Sequence, residues 1–324
     1  MNITLTSIQR AAAAAAVAIV LTLATDAGAQ VCGDVTADDE VRASDALAVL
    51  RKAVGQDVEL ICTDQCAVLE SRIAALEALL ADVSKVGHNL VVSGANLQIV
   101  DGSGDTAGAP NGLGNLIVGY NEDKQAPTAV RTGSHNIIVG RENGYSSYGG
   151  LVAGFDNTVA APMASVTGGN LNFASGAYSS VCGGYANEAS GEAAAVAGGD
   201  YNLADGLDSC VTGGRYNDAL GEATSVTGGS YNQATGLMAT VSGGTANAAS
   251  GAGSSVSGGT DNEAAALESS VSGGRSNLAD DDRAAVTGGY FNTASGVYAS
   301  VSGGNDRTVT GQYDWRAGGS FQDY

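Results

Sequence analysis

Between Val166 and Gly319 the chain repeats itself every 15 residues. Val166, Val181, Val196, Val211, Val226, Val241, Val256, Val271, Val286 and Val301 form one column. A Gly-Gly pair begins two residues after each valine, starting at Gly168-Gly169, and Gly318-Gly319 is the last such pair. Asn172, Asn187, Asn202, Asn217, Asn232, Asn247, Asn262, Asn277 and Asn292 form a second column, each followed two residues later by Ala, from Ala174 to Ala294. A short fixed period means one structural unit stacked on copies of itself.

The residues around each valine alternate as in a half-buried strand: Ser out, Val in, Ser or Thr out, Gly in. The Gly-Gly pair and the later glycines Gly176, Gly191, Gly206, Gly221, Gly236, Gly251 and Gly296 are placed to turn corners through positive φ. This predicts a mainly β chain, a parallel β-solenoid with 15-residue coils over residues 151–305. Coils stacked about 4.8 Å apart bring like residues together, so the Asn column can pass amide hydrogen bonds along the stack. No proline, which would break the ladders, occurs after Val166. The glycine content and short period exclude an α-solenoid. The six-residue aliphatic period of hexapeptide coils and the Gly-Gly-x-Gly-x-Asp of calcium-binding nonapeptide repeats are both absent.

Such a coil has a thin interior, read here as one Val and one Ala. Burying the valine contributes roughly 1.5–3 kcal/mol. Fixing each residue's backbone costs roughly 1–2 kcal/mol, so 15 residues cost far more than that. Ladder hydrogen bonds offset part of the difference, and contact with other chains would offset more. The reading therefore predicts an oligomer.

The row Ser-Val-x-x-Gly followed by x-Ala-x-Gly-x-x-Ser resembles the repeat of trimeric autotransporter adhesin heads, the YadA-like head family, over about half of the chain (152–319). The resemblance implies a left-handed parallel β-roll, three chains side by side, and an adhesin-like role. Two departures stand out: Gly replaces the family's second inward aliphatic residue, and the chain shows no terminal membrane anchor.

Composition fits a solenoid rather than an ordinary globular core: 48 Gly, 3 Pro and 5% aromatic residues in 324. The formal charge of −20 argues against nucleic acid or anionic membranes as partners. Arg10, the apolar run Ala11–Ala24 and Ala27-Gly28-Ala29 read as a bacterial-type secretory signal peptide over residues 1–29, which places the protein outside the cell or on its surface. No later stretch is long and apolar enough to span a membrane.

Residues 30–64 form a separate module. The stretch Cys32-Gly-Asp-Val-Thr-Ala-Asp-Asp-Glu-Val, running on to Gly55, resembles a single dockerin repeat, a small α-helical module with an EF-hand-like loop. The resemblance implies calcium held by Asp34, Thr36, Asp38 and Asp45, with Glu40 offering its backbone carbonyl. Asp39 stands where the family has Gly, and the usual second repeat is missing. Cys32 and Cys62 bracket the module and are the pair that would close it in a disulfide. The five cysteines leave at least one unpaired or bonded between chains, and Cys182 and Cys210 lie in different columns.

Over residues 65–85, Leu69, Ile73, Leu76, Leu80 and Val83 follow heptad spacing. A short coiled coil with that seam would seed a parallel homotrimer. Residues 86–150 read as irregular opening coils: Asn115-Leu-Ile-Val-Gly and Asn136-Ile-Ile-Val-Gly share a pattern, and the inserts 120–133 and 144–150 read as rim loops. Residues 306–324 abandon the Asn and Ala columns and read as a cap.

No enzyme chemistry is expected. His88 and His135 lie in different segments, and carboxylates such as Asp208, Glu222 and Asp281 fall on variable outward positions. The expected function is multivalent, non-catalytic binding of a surface, glycan or protein ligand. The alternatives are a dockerin-bearing accessory of an extracellular polysaccharide-degrading system, or an ice- or crystal-binding solenoid presenting two hydroxyls per coil, as in Ser225-Val-Thr227.

Overall fold

The computed structural model describes residues 63–123 and 129–317 and divides after Leu97. The calcium-type residues Asp34, Thr36, Asp38, Glu40 and Asp45, the Cys32–Cys62 pair and the signal segment lie outside the described residues.

In the first unit, helix α1 (Thr63–Leu79) is followed by strands β1 (Val83–Val86) and β2 (Asn89–Val92). The strands pair antiparallel, Val83 opposite Val92 and Val86 opposite Asn89. Val83 therefore does not extend the heptad seam. The chain leaves the helix after Leu79, and the β-branched Val83 and Val86 suit a strand better. The turn falls at Gly87, with φ +62°. Residues 86–92 thus belong to a hairpin, not to an opening coil.

The second unit is a parallel β-solenoid of about 12 turns. The valine column builds one sheet, from β3 (Leu116–Val118) and β4 (Ile137–Arg141) to Trp315–Arg316, with 14 strands among the described residues. The alanine column builds a second, from β5 (Gly144–Tyr145) to Thr308–Val309, with 12. A third ladder of single parallel bridges joins Phe155, Asn170, Tyr185, Asp200 and so on to Asn305. Each regular strand is two residues long; N–H groups in and beside the strands donate to the following coil, Ser180 to the Ala194 carbonyl at 2.9 Å, Cys182 to Val196 at 2.9 Å and Glu188 to Asn202 at 2.8 Å, while corner residues such as Ala186 donate to the preceding one.

Five positions per coil face inward. In one coil they are Val181, Asn187, Ala189, Gly191 and Ala194, all buried. The interior is therefore fuller than one Val and one Ala: the Asn side chain fills it too, and a small residue (Ala164, Ser179, Ala194, Ser209) completes it. The opening coils carry larger groups at some of the same places: Ile138, above Val152, in the valine column and Tyr145 and Val159 in the alanine column. Residues 144–150 are accordingly part of a coil and not a rim loop, because Tyr145 is buried and aligned with Val159.

Two glycine columns do different work. The second glycine of each pair turns a corner through positive φ, +83° at Gly169 and +89° at Gly184. The later glycines do not. Gly191 is buried, and a Cβ there would strike the Gly206 carbonyl, so that column exists for close backbone approach. Positive φ at the neighbouring corner falls instead on Tyr178, Ala193 and Asp208. The first glycine of the pair is not inward either: a Cβ on Gly198 would meet nothing within 4 Å. Inward alternation stops at the valine because the strand does.

Candidate functional site

The Asn column is buried and forms a continuous hydrogen-bonded spine. Asn187 Nδ2 donates to the Gly183 carbonyl in its own coil at 3.0 Å and to Gly199 in the next at 2.7 Å. Its Oδ1 accepts the backbone N–H of Asn202 at 3.0 Å. The pattern repeats down to Asn292, whose Oδ1 accepts from Arg307 at 3.1 Å. The regular partners are backbone groups. Direct amide-to-amide contacts, such as Asn202 Nδ2 to Asn187 Oδ1 at 3.1 Å, join only some neighbours. Asn121, Asn143 and Asn157 extend the spine backwards. Sequence reading left them out of the column. Their signal was a glycine three residues before two of them, Gly140 for Asn143 and Gly154 for Asn157, as Gly169 precedes Asn172.

This spine accounts for the buried amides and leaves the outward columns free to act. On either side of the buried valines stand a residue that is half-exposed in most coils (Ser165, Ser180, Ala195, Cys210) and an exposed one (Thr167, Cys182, Ala197, Thr212). Thr167 Oγ1 donates to the Cys182 carbonyl at 2.9 Å, so part of the hydroxyl face is bonded to its own backbone. Cys182 and Cys210 are free thiols.

At the opening coils the same outward positions are aliphatic. Leu116, Val118, Ile137 and Val139 are 38–52% exposed. In the first unit Ile73, Leu76 and Leu80 are also more than half exposed on α1 and the turn after it, while the side chain of Leu69 lies outside what is described.

Residues flanking the Asn column form the most varied surface. Tyr201, Tyr216 and Tyr231 stack one above another, with ring centroids 4.9 and 5.0 Å apart. Tyr185 meets the first of them edge-on at 5.3 Å, and its hydroxyl contact pushes the Tyr201 phenol up. The next residue of the tyrosine column is Ala246, and the stack ends there. A groove of about 470 Å³ opens at this point, lined by Tyr216, Asp218, Tyr231, Gln233, Ala246 and Ala248. Burial pushes the Asp218 carboxyl up, and a hydrogen bond from Gln233 partly opposes it.

Near the start of the solenoid, Asp101 Oδ1 accepts from Ser103 Oγ at 2.6 Å and from the Ser103 N–H at 2.8 Å, which holds its carboxyl below the usual range. The Asp101 N–H donates to His135 Nε2 at 3.2 Å. The serine therefore contacts the aspartate and not the imidazole, which is a structural clasp rather than a nucleophile–base pair. Among the described residues no three His, Cys, Asp or Glu side chains are grouped to hold a metal ion, and no helix is long and apolar enough to cross a membrane. No protein-family model matches the chain, and a search of curated proteins gives no match.

Proposed function

We propose that the protein is a secreted, non-catalytic, adhesin-like fibre in which three copies of a left-handed roll pack side by side, as in the YadA-like heads that its repeat resembles. One observation carries this reading: the outward aliphatic row of Leu116, Val118, Ile137 and Val139, continued by Leu151, on a sheet whose regular coils from Ser165 to Ser302 carry only small residues there. A contiguous apolar patch of this kind marks an interaction surface. The small, flat outward columns beyond it let a neighbouring roll approach closely, and the varied columns beside the Asn spine remain free to bind a surface, glycan or protein ligand many times over.

In the same reading residues 30–64 form a dockerin-like calcium module closed by Cys32–Cys62, and the seam through Leu69, Ile73, Leu76 and Leu80 helps align the chains. Light scattering of the full chain after signal removal, with and without calcium, tests the proposal. A trimer is expected, and a monomer in both conditions refutes it.

A further inference from the structure

We infer that the break in the tyrosine stack at Ala246 is a receptor slot for a guanidinium group, supplied by an arginine side chain of a partner polypeptide.

The slot is one coil wide. On one side Tyr231, 59% exposed, turns a ring face towards the position that Ala246 leaves open, with Gln233 beside it. Ala246 and Ala248 form the floor and reduce this coil to two methyl groups. One coil further stand Asp261 and Glu263, both exposed, at the same two outward positions. Asp218 adds a third carboxyl at the rim. The position between the ring and Asp261 is thus flanked by a π-face and an anion.

The protein fills the same arrangement itself elsewhere. In the corner column Glu268, Arg283 and Tyr298 occupy three successive coils. Arg283 Nε donates to Glu268 Oε2 at 2.7 Å, and its guanidinium carbon lies 5.3 Å from the Tyr298 ring centroid. The guanidinium thus sits between a carboxylate one coil away and an aromatic ring one coil away on the other side. In the tyrosine column Tyr231, Ala246 and Asp261 have that spacing in the opposite order along the stack, with the central cation missing. Arg215 over Tyr216 at 5.0 Å and Arg141 over Phe155 at 4.4 Å show the same preference.

A planar guanidinium continues a ring stack and keeps its N–H groups for carboxylates; a lysine ammonium does the first poorly. Arg275 Nε stands 4.0 Å from Asp261 Oδ2, and both side chains are at least half exposed, so this contact leaves carboxylate capacity for a ligand. The chain's charge of −20 draws a basic partner to the site.

This names a partner class for the binding fibre proposed above and rests on that reading, but it can be tested separately. The capped peptide acetyl-Gly-Arg-Gly-amide is titrated into the full chain by saturation-transfer NMR, beside its lysine and citrulline counterparts and cellobiose. The arginine peptide should bind in the millimolar range and weaken with salt, with the citrulline peptide weaker by roughly threefold to tenfold. Tyr231→Ala and Asp261→Asn should each weaken it by a similar factor. Ala246→Arg should abolish binding and raise the melting temperature, because the chain then fills its own slot; arginine is already accepted at positive φ at Arg283. Equal binding of arginine and citrulline peptides, cellobiose binding that needs Tyr231, no binding up to about 10 mM, or binding unchanged in Ala246→Arg would each overturn the assignment. Light scattering separates the two claims: a monomer that binds the arginine peptide refutes the fibre alone, and a trimer that does not bind it refutes the slot alone.

Discussion

Asn232 holds Asn247 by its backbone: Oδ1 of the first accepts the N–H of the second at 3.0 Å. The same Asn232 side chain donates to Gly228 at 2.8 Å and Gly244 at 3.0 Å, and it is 1% exposed. One buried amide therefore satisfies three backbone groups on two coils.

Replacing it takes this partner from the Asn247 N–H and the Gly228 carbonyl in a dry interior, at about 1–3 kcal/mol each, while the Gly244 carbonyl still accepts the Ser230 N–H at 2.9 Å. Asn232→Ala should lower stability by about 3 kcal/mol in denaturant unfolding. Asn232→Asp should be worse, since a carboxylate would face two carbonyl oxygens. Hydrogen exchange should rise chiefly between residues 228 and 247, because solenoid coils lean on their nearest neighbours.

Two glycines seven residues apart should respond oppositely. Gly191→Ala drives a methyl into the Gly206 carbonyl of the next coil and should cost about 3 kcal/mol. Where this column carries Ala266 and Asp281, both residues are half-exposed rather than buried. Gly198→Ala points into open space at ordinary φ and should change the stability of the isolated chain by less than about 0.5 kcal/mol. If rolls pack through that bare column, Gly198→Ala should instead weaken the oligomer, which light scattering at falling concentration would read.

Asp218 makes a signed pH prediction. Burial raises its carboxyl above the ordinary range. Its contribution is favourable at low pH, where both folded and unfolded forms are protonated, and is lost as pH rises through the folded value. Asp218→Asn should match the parent's melting temperature near pH 3 and exceed it at pH 7. A difference of opposite sign at pH 7 would show that the charged form is the better-held one.

The aliphatic row should carry association. Val139→Glu places a charge on an exposed position and should leave coil stability nearly unchanged while reducing the mass seen by light scattering. An unchanged mass would assign contact between chains to another face.

Much of the solenoid was legible without coordinates. In a parallel stack with one repeat per coil, residues 15 apart must coincide, so Val181 over Val196 and Ala189 over Ala204 could be read directly from the period. The period was less informative where coils change length: residues 144–150 looked like an insertion because Tyr145 stands where later coils have Ala. Val83 kept heptad spacing yet opens a strand, since spacing alone does not say where a helix stops.

By itself, the sequence determined the repeat, its register and the absence of proline from the ladders, because these depend only on residue type and interval. The tertiary structure alone decided direction and neighbourhood. It showed that one glycine of each pair turns the chain while the other faces empty space, and that Gly191 is small because another backbone lies against it. It also laid the Tyr231 ring over that of Tyr216 and opened a groove beside Ala246. The physical reason is that corner φ values set where side chains point, and coil stacking turns an interval of 15 residues into a single step along the axis.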